Sequence, residues 1–166
     1  MKRKLMDYKD GKISLKEILE EIKRLPYDDL GFAKIDTHRE IRKGFPETIF
    51  CQGKTHEQIL AIIEHMNKKT HNILATKAND QIFKAVKKKF PQAEYNKSAK
   101  TIIIRKEKIK IKKGKILIIT AGTSDIPVAE EAVVTMEIMG STVEKVYDVG
   151  VAGVHRLLDI KDKLFE

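Results

Sequence analysis

The sequence predicts an α/β protein: an N-terminal α+β region over residues 1–113, then the first β-α-β-α units of a parallel three-layer domain over residues 114–166. Three observations carry that expectation. Ile116-Leu-Ile-Ile-Thr120 is an unbroken apolar run, the pattern of a strand covered on both faces of a parallel sheet. It leads into the small-residue loop Ala121-Gly-Thr-Ser-Asp125, and Pro127 then suits the first turn of a helix running to about Met139, with Gly140 as its stop. Thr142 to Tyr147 repeats the β-rich pattern, with Val143 and Val146 apolar, and Val154 to Lys163 reads as a second helix.

The elements before Gly114 follow from local chemistry. Ser14-Leu-Lys-Glu17 is a capping box, in which the Ser14 hydroxyl accepts from a first-turn amide while Glu17 reaches back. Leu15, Ile18, Leu19 and Ile22 follow at helical spacing, and Pro26 stops the run. Residues 32–36 read as a short extended piece, and Thr48 to Cys51 as a strand closed by Gly53. Thr55-His-Glu-Gln58 is a second capping box, before a helix whose core face is Ile59, Ile62, Ile63 and Met66. Asn72 to Thr76 reads as a strand and Asp80 to Lys88 as a helix. Thr101 to Ile104 and the alternating Ile109-Lys-Ile111 read as the strands of a basic hairpin, and Gly114 as a hinge.

Composition narrows the function classes. With 166 residues and 42% hydrophobic content, the chain is long enough to bury a core. No apolar run approaches the roughly 20 residues of a membrane span, and the opening MKRKLMDYKDGK has no apolar segment after its basic residues. Cys51 is the sole cysteine, so no internal disulfide forms, and a cytoplasmic protein is expected. It lies in an apolar run, which favours a buried, inert thiol over a nucleophile. The formal net charge of +9 suggests anionic partners. Nine Lys/Arg and one acid, Glu107, lie between Lys97 and Lys115, but only Tyr95 is nearby to stack a base, so nucleic acid is not expected. No His/Cys/carboxylate spacing resembles a structural zinc site.

Three clusters could carry chemistry. In the first, Gly122 lets the backbone approach a ligand, Thr123 and Ser124 offer hydroxyls, and the following helix start favours an anion. Asp125 has two readings: helix N-cap, or a site group that handles a proton or a ribose hydroxyl. In the second cluster, Gly150 and Gly153 precede His155, which can titrate near neutral pH, and Arg156, which can grip a phosphate or carboxylate. Both loops follow parallel strands and are expected to face one crevice. The third, residues 36–47, packs Asp36, His38, Arg39, Arg42, Lys43 and Glu47 together, with Gly44-Phe45-Pro46 near its end. These are secondary candidates.

The segments AGTSDIPVAEEAVVTMEIMG, VYDVGVAGVHRLLD and DTHREIRKGFPETIFCQGKT together resemble the LarB family of nickel-pincer cofactor biosynthesis proteins. These are pyridinium-3,5-biscarboxylic acid mononucleotide synthases, and their carboxylase domain is similar to PurE, with its flavodoxin-like parallel fold. The PurE-like GS-x-SD loop matches Gly122, Thr123, Ser124 and Asp125, and its Ala-His-Arg matches Val154, His155 and Arg156.

The resemblance implies a carboxylase acting on nicotinic acid adenine dinucleotide, with carbon dioxide or bicarbonate as co-substrate and AMP released by phosphoanhydride hydrolysis. It implies Asp125 and His155 in catalysis, with Gly122, Thr123, Ser124, Gly150, Gly153 and Arg156 binding substrate or phosphate. No tightly bound cofactor is expected, Mg²⁺ is a candidate helper at the phosphoanhydride step, and a homo-oligomer is implied. The family's further strands and catalytic cysteine are expected beyond residue 166, so this chain is expected to be partial and inactive alone. Alternatives are a PurE-type aminoimidazole ribonucleotide carboxylase/mutase, or a non-catalytic nucleotide- or nucleic-acid-binding module.

Overall fold

The computed structural model describes residues 2–23, 27–36, 39, 43–45, 47–68, 71–150 and 152–165. It is a mixed α/β fold. Two compact units divide it, residues 1–47 and residues 48–166. Pro26, Pro46, His38 and Arg42 lie outside the described residues, as does the side chain of Ile22.

The first unit holds α1 (Lys2–Lys9), α2 (Leu15–Lys23), β1 (Asp28–Asp29) and β2 (Lys34–Ile35). The Ser14 capping box forms: Ser14 N–H donates to Glu17 Oε2 at 2.7 Å and Glu17 N–H to Ser14 Oγ at 3.2 Å. Among the described side chains of the expected core face, Ile18 is buried, but Leu15 and Leu19 are exposed. The extended piece expected over residues 32–36 is a strand only at Lys34–Ile35, paired antiparallel with Asp28–Asp29. Their connection closes because Asp29 Oδ1 accepts from Gly31 N–H at 2.7 Å, and Gly31 has a φ of +81°.

In the second unit, β3 (Thr48–Phe50), α3 (His56–Asn67), β4 (Ile73–Thr76), α4 (Asp80–Lys89), β5 (Glu94–Asn96) and β6 (Thr101–Ile104) come first. The four strands form one sheet in the order β3-β4-β6-β5, with β3 and β4 parallel and the other pairings antiparallel. The second capping box is present, with Thr55 Oγ1 accepting from Gln58 N–H and Gln58 Oε1 from Thr55 N–H. Ile59, Ile62 and Ile63 of α3 and Ile82 and Val86 of α4 bury against central strands whose every residue is buried. Burial of these branched side chains is the main stabilising term, worth about 1.5–3 kcal/mol each.

The chain continues through β7 (Lys115–Ile119), a 3₁₀ turn (Thr123–Asp125), α5 (Ile126–Ile138), β8 (Thr142–Val146), α6 (His155–Asp159) and α7 (Lys161–Phe165). Strands β7 and β8 pair in parallel across all five residues. Pro127 sits in the first turn of α5, as its missing N–H allows. Helix α5 then packs Val134 and Ile138 onto Leu74, Ala99 and Ile103 of the four-stranded part.

Several expectations need correction. Residues 109–111 are not a strand. The buried Asn72 Oδ1 accepts from Lys106 and Glu107 N–H, which turns the chain away as it leaves β6. Lys112 N–H then donates to Gly140 O at 2.7 Å, so the segment runs along the end of α5. The hairpin partner of β6 is β5. Strand β7 is only half-buried apart from an exposed Lys115, because the described β7–β8 sheet has two strands. The expected helix over residues 154–163 is two short ones, interrupted at Ile160.

Gly140 has two reasons to be glycine: φ is +90°, and a Cβ there would stand 2.3 Å from Lys110 O. Gly11 has φ +71° but open space around it. Gly11→Ala is expected to cost about 1–2 kcal/mol from left-handed strain alone. Gly140→Ala costs clearly more, because backbone must also move; equal urea midpoints for the two variants would contradict this.

The contact between α5 and β8 is polar. Lys145 Nζ and Tyr147 OH both donate to Glu130 Oε1 at 2.7 Å. Burial pushes the Glu130 carboxyl up, but these bonds outweigh it and hold the carboxyl below its ordinary 4.5. A carboxyl with a depressed folded pKa adds stability above its unfolded value, and that stability is lost as pH falls through the folded value. The urea midpoint should therefore fall as pH drops below 4.5, and fall less steeply in Glu130→Gln. Parallel pH curves for the two proteins would show that the network adds nothing.

Candidate functional site

Ligands of open α/β sheets bind where parallel strands end. At the carboxyl ends of β7 and β8 the chain makes two loops, residues 120–125 and 147–154, and a cleft of 530 Å³ lies between them. Ala121, Gly122, Ser124 and Asp125 line it from one side. Gly150, Ala152, Gly153, His155 and Arg156 line it from the other.

Thr120 joins the two loops. Its N–H donates to Val146 O at 3.1 Å, continuing the ladder, and its carbonyl accepts from Val149 N–H at 3.0 Å. Its buried hydroxyl accepts from Asp148 N–H at 3.1 Å. Asp148 has φ +60°, and this bond helps hold it there. Gly150 N–H adds a bond to Ala121 O at 2.7 Å. Thr120 was not singled out from the sequence. Its signal was a hydroxyl residue ending an otherwise apolar strand.

The 3₁₀ turn presents the first cluster. Asp125 is not the side-chain N-cap of α5: its backbone is already helical, and its carboxylate turns back to accept from Gly122 N–H at 3.0 Å. It therefore braces the turn while remaining exposed to the cleft. Ser124 is exposed in the lining, whereas Thr123, although exposed, is not among the lining residues.

Glycine is used for close approach on the other side. A Cβ on Gly153 would stand 2.4 Å from His155 Cε1, so the imidazole lies over bare backbone. Gly150, with φ +74°, leaves the space beside Arg156 Nη1. Arg156 is held loosely, through Nη1 to Asp148 O at 3.4 Å and an ion pair to Asp148 Oδ1 at 3.8 Å. Both contacts are long and exposed, so they are weak, and the guanidinium has donors to spare for an anionic ligand.

This arrangement can do two things. The hydroxyl of Ser124, the guanidinium of Arg156 and the dipole at the start of α5 can hold a carboxylate or phosphate. Asp125 and His155 face the same space and can exchange protons with a bound molecule. The lining contains no cysteine. Cys51 is buried in the four-stranded part, and burial pushes its thiol up to about 11 against the smaller opposing pull of Lys54, so it is a neutral core group. Among the described residues no group of three or more His, Cys, Asp or Glu side chains is placed to hold a metal ion. Among them too, no helix is long and apolar enough to cross a membrane.

The third cluster belongs to the first unit. Asp36 N–H donates to Glu47 Oε2 at 2.6 Å, the Arg39 guanidinium stands 5.5 Å from the Phe45 ring centre, and Lys43 is exposed. His38 and Arg42 lie outside the described residues.

A family model described as the LarB/PurE-like N-terminal domain matches residues 27–107. An uncharacterized protein of Methanocaldococcus jannaschii is 41% identical over 169 residues, an alignment covering 98% of this chain. The chain spans 66% of that relative's length. The family match covers the four-stranded sheet, and the cleft of β7 and β8 follows it in the sequence. Residues 27–107 are thus a LarB/PurE-like N-terminal domain.

Proposed function

We propose that this chain serves a carboxylase-type enzyme, and that its substrate is nicotinic acid adenine dinucleotide with carbon dioxide or bicarbonate. The observation that supports this reading is the convergence of Gly122, Ser124, Asp125, His155 and Arg156 on one cleft at the ends of two parallel strands. The LarB/PurE-like match of residues 27–107 supports a carboxylase-type reaction.

In that reaction a thiolate adds to the pyridinium ring, forming a C–S bond and an enamine. The ring carbon at position 5 then attacks carbon dioxide and forms a C–C bond. Loss of the proton from that carbon and departure of the thiolate restore the aromatic ring. Water cleaves the phosphoanhydride and releases AMP. The cleft of β7 and β8 supplies the binding and proton-handling part of this scheme. Arg156 and Ser124 hold the ring carboxylate or a phosphate, and Asp125 and His155 take the proton from position 5. Cys51, buried and with a thiol pKa of about 11, does not supply the thiolate.

The reading is tested by calorimetric binding of nicotinic acid adenine dinucleotide, with aminoimidazole ribonucleotide as competitor and mass spectrometry to follow product. The dinucleotide should bind, and Arg156→Gln and Ser124→Ala should each weaken binding about 10- to 100-fold, the worth of a charge-assisted hydrogen bond. The purified chain alone should release no AMP. Tighter binding of aminoimidazole ribonucleotide would move the assignment to a PurE-type carboxylase, and AMP release by the chain alone would refute a role confined to binding and proton handling.

A further inference from the structure

A second cleft, of 640 Å³, opens at the carboxyl ends of the other parallel pair, β3 and β4. The loop after β3 contributes Gln52, Gly53 and Lys54, and the loop after β4 contributes Lys77, Ala78 and Asn79. Tyr95, Lys97 and Lys100 close it from β5 and the turn that follows. It lies within the matched domain and shares no lining residue with the cleft of β7 and β8.

Charge sets this cleft apart. Four lysines line it, with Asp80 as the lone carboxylate of the lining. Lys54 Nζ donates to the Phe50 carbonyl at 2.7 Å and has no carboxylate partner among the described residues. Lys100 has none among them either. Lys97 reaches Asp80 only at 4.0 Å, with both side chains largely exposed, so that pair is weak. Lys77 alone is well paired, with Glu131 at 2.6 Å. Like charges gathered in a concave site repel one another and draw in an anion.

The backbone is shaped for close approach. Gly53 has φ +80° with nothing near its missing Cβ. Lys77 and Lys100 are left-handed at φ +54° and +51°, uncommon for side chains of this kind. Ala78 N–H donates to Lys100 O at 2.8 Å and locks the two loops together. Strain retained in two lysines that face one cleft points to use of their placement. The cavity is of the size that holds a small molecule. Its single aromatic, Tyr95, is already stacked on Phe83 at 4.9 Å, which disfavours a run of nucleic-acid bases.

We propose that this cleft binds a small ligand carrying condensed phosphates, gripped by Lys54, Lys97 and Lys100. A nucleoside triphosphate and inorganic polyphosphate share that chemistry. Calorimetric titration of the full chain with ATP and, separately, with tripolyphosphate tests the proposal. Both should bind saturably at low salt and more weakly as salt rises. Lys54→Gln/Lys100→Gln should lose at least about tenfold in affinity, as should Lys97→Gln alone, with thermal melting reporting the fold of each. Arg156→Gln and the exposed control Lys88→Gln should bind as the unaltered chain does. Tighter ATP than tripolyphosphate would assign a nucleotide, and equal binding the phosphates alone; both support the site. The proposal is overturned by no saturable binding of either probe at about 1 mM, by equal loss in Lys88→Gln, or by tighter binding of a single-stranded oligonucleotide than of ATP.

Discussion

The packing of α5 (Ile126–Ile138) onto the four-stranded sheet governs what else the second unit can do. A two-stranded sheet is marginal in water, and β7 with β8 gains its support through this helix. Val134 and Ile138 seat it against Leu74, Ala99 and Ile103. Glu130 bonds Lys145 and Tyr147 on one side, and Glu131 pairs with Lys77 on the other. The 3₁₀ turn at the head of the same helix forms one wall of the β7–β8 cleft. One element thus fixes the catalytic candidates and reaches the rim of the basic cleft.

The two clefts differ in kind. That of β7 and β8 balances Arg156 against Asp125 and Asp148, and combines a hydroxyl, an imidazole and glycine backbone. Such a mixture suits chemistry on a bound carbon framework, where proton transfer matters as much as charge. The other is dominated by lysine, with Asp80 as the lone carboxylate of its lining. It suits holding an anion rather than transforming it. The basic charge that sequence composition made conspicuous contributes to this cleft at Lys97 and Lys100, rather than forming a hairpin.

The legible parts of the sequence were those with local causes. Both capping boxes, Pro127 at the start of α5 and the glycine stop at 140 depend on neighbouring atoms and formed as read. Strand β7 followed from its apolar run, and the meeting of Gly122–Asp125 with Gly150–Arg156 followed from the rule for parallel strands. What escaped depended on distant contacts. Residues 109–111 alternate like a strand, yet Asn72 and Gly140 direct their course. Asp125 read either as a helix cap or as a site group, and the geometry of the 3₁₀ turn shows its carboxylate folded onto Gly122. The basic cleft was invisible because Lys54, Lys77 and the Lys97 and Lys100 pair come from three separate loops, brought together by the pairing of β3 with β4 and of β6 with β4 and β5.

The central claim is that two loops, clamped by Thr120, act as one binding site. Backbone amide NMR shifts during titration with nicotinic acid adenine dinucleotide test it most directly. The amides of Gly122, Ser124, Gly150 and Gly153 should move together along one saturation curve. Thr120→Val, which removes the acceptor for Asp148 N–H, should weaken that curve in both loops at once. Movement of one loop without the other, or saturation confined to residues outside the two loops, would contradict it.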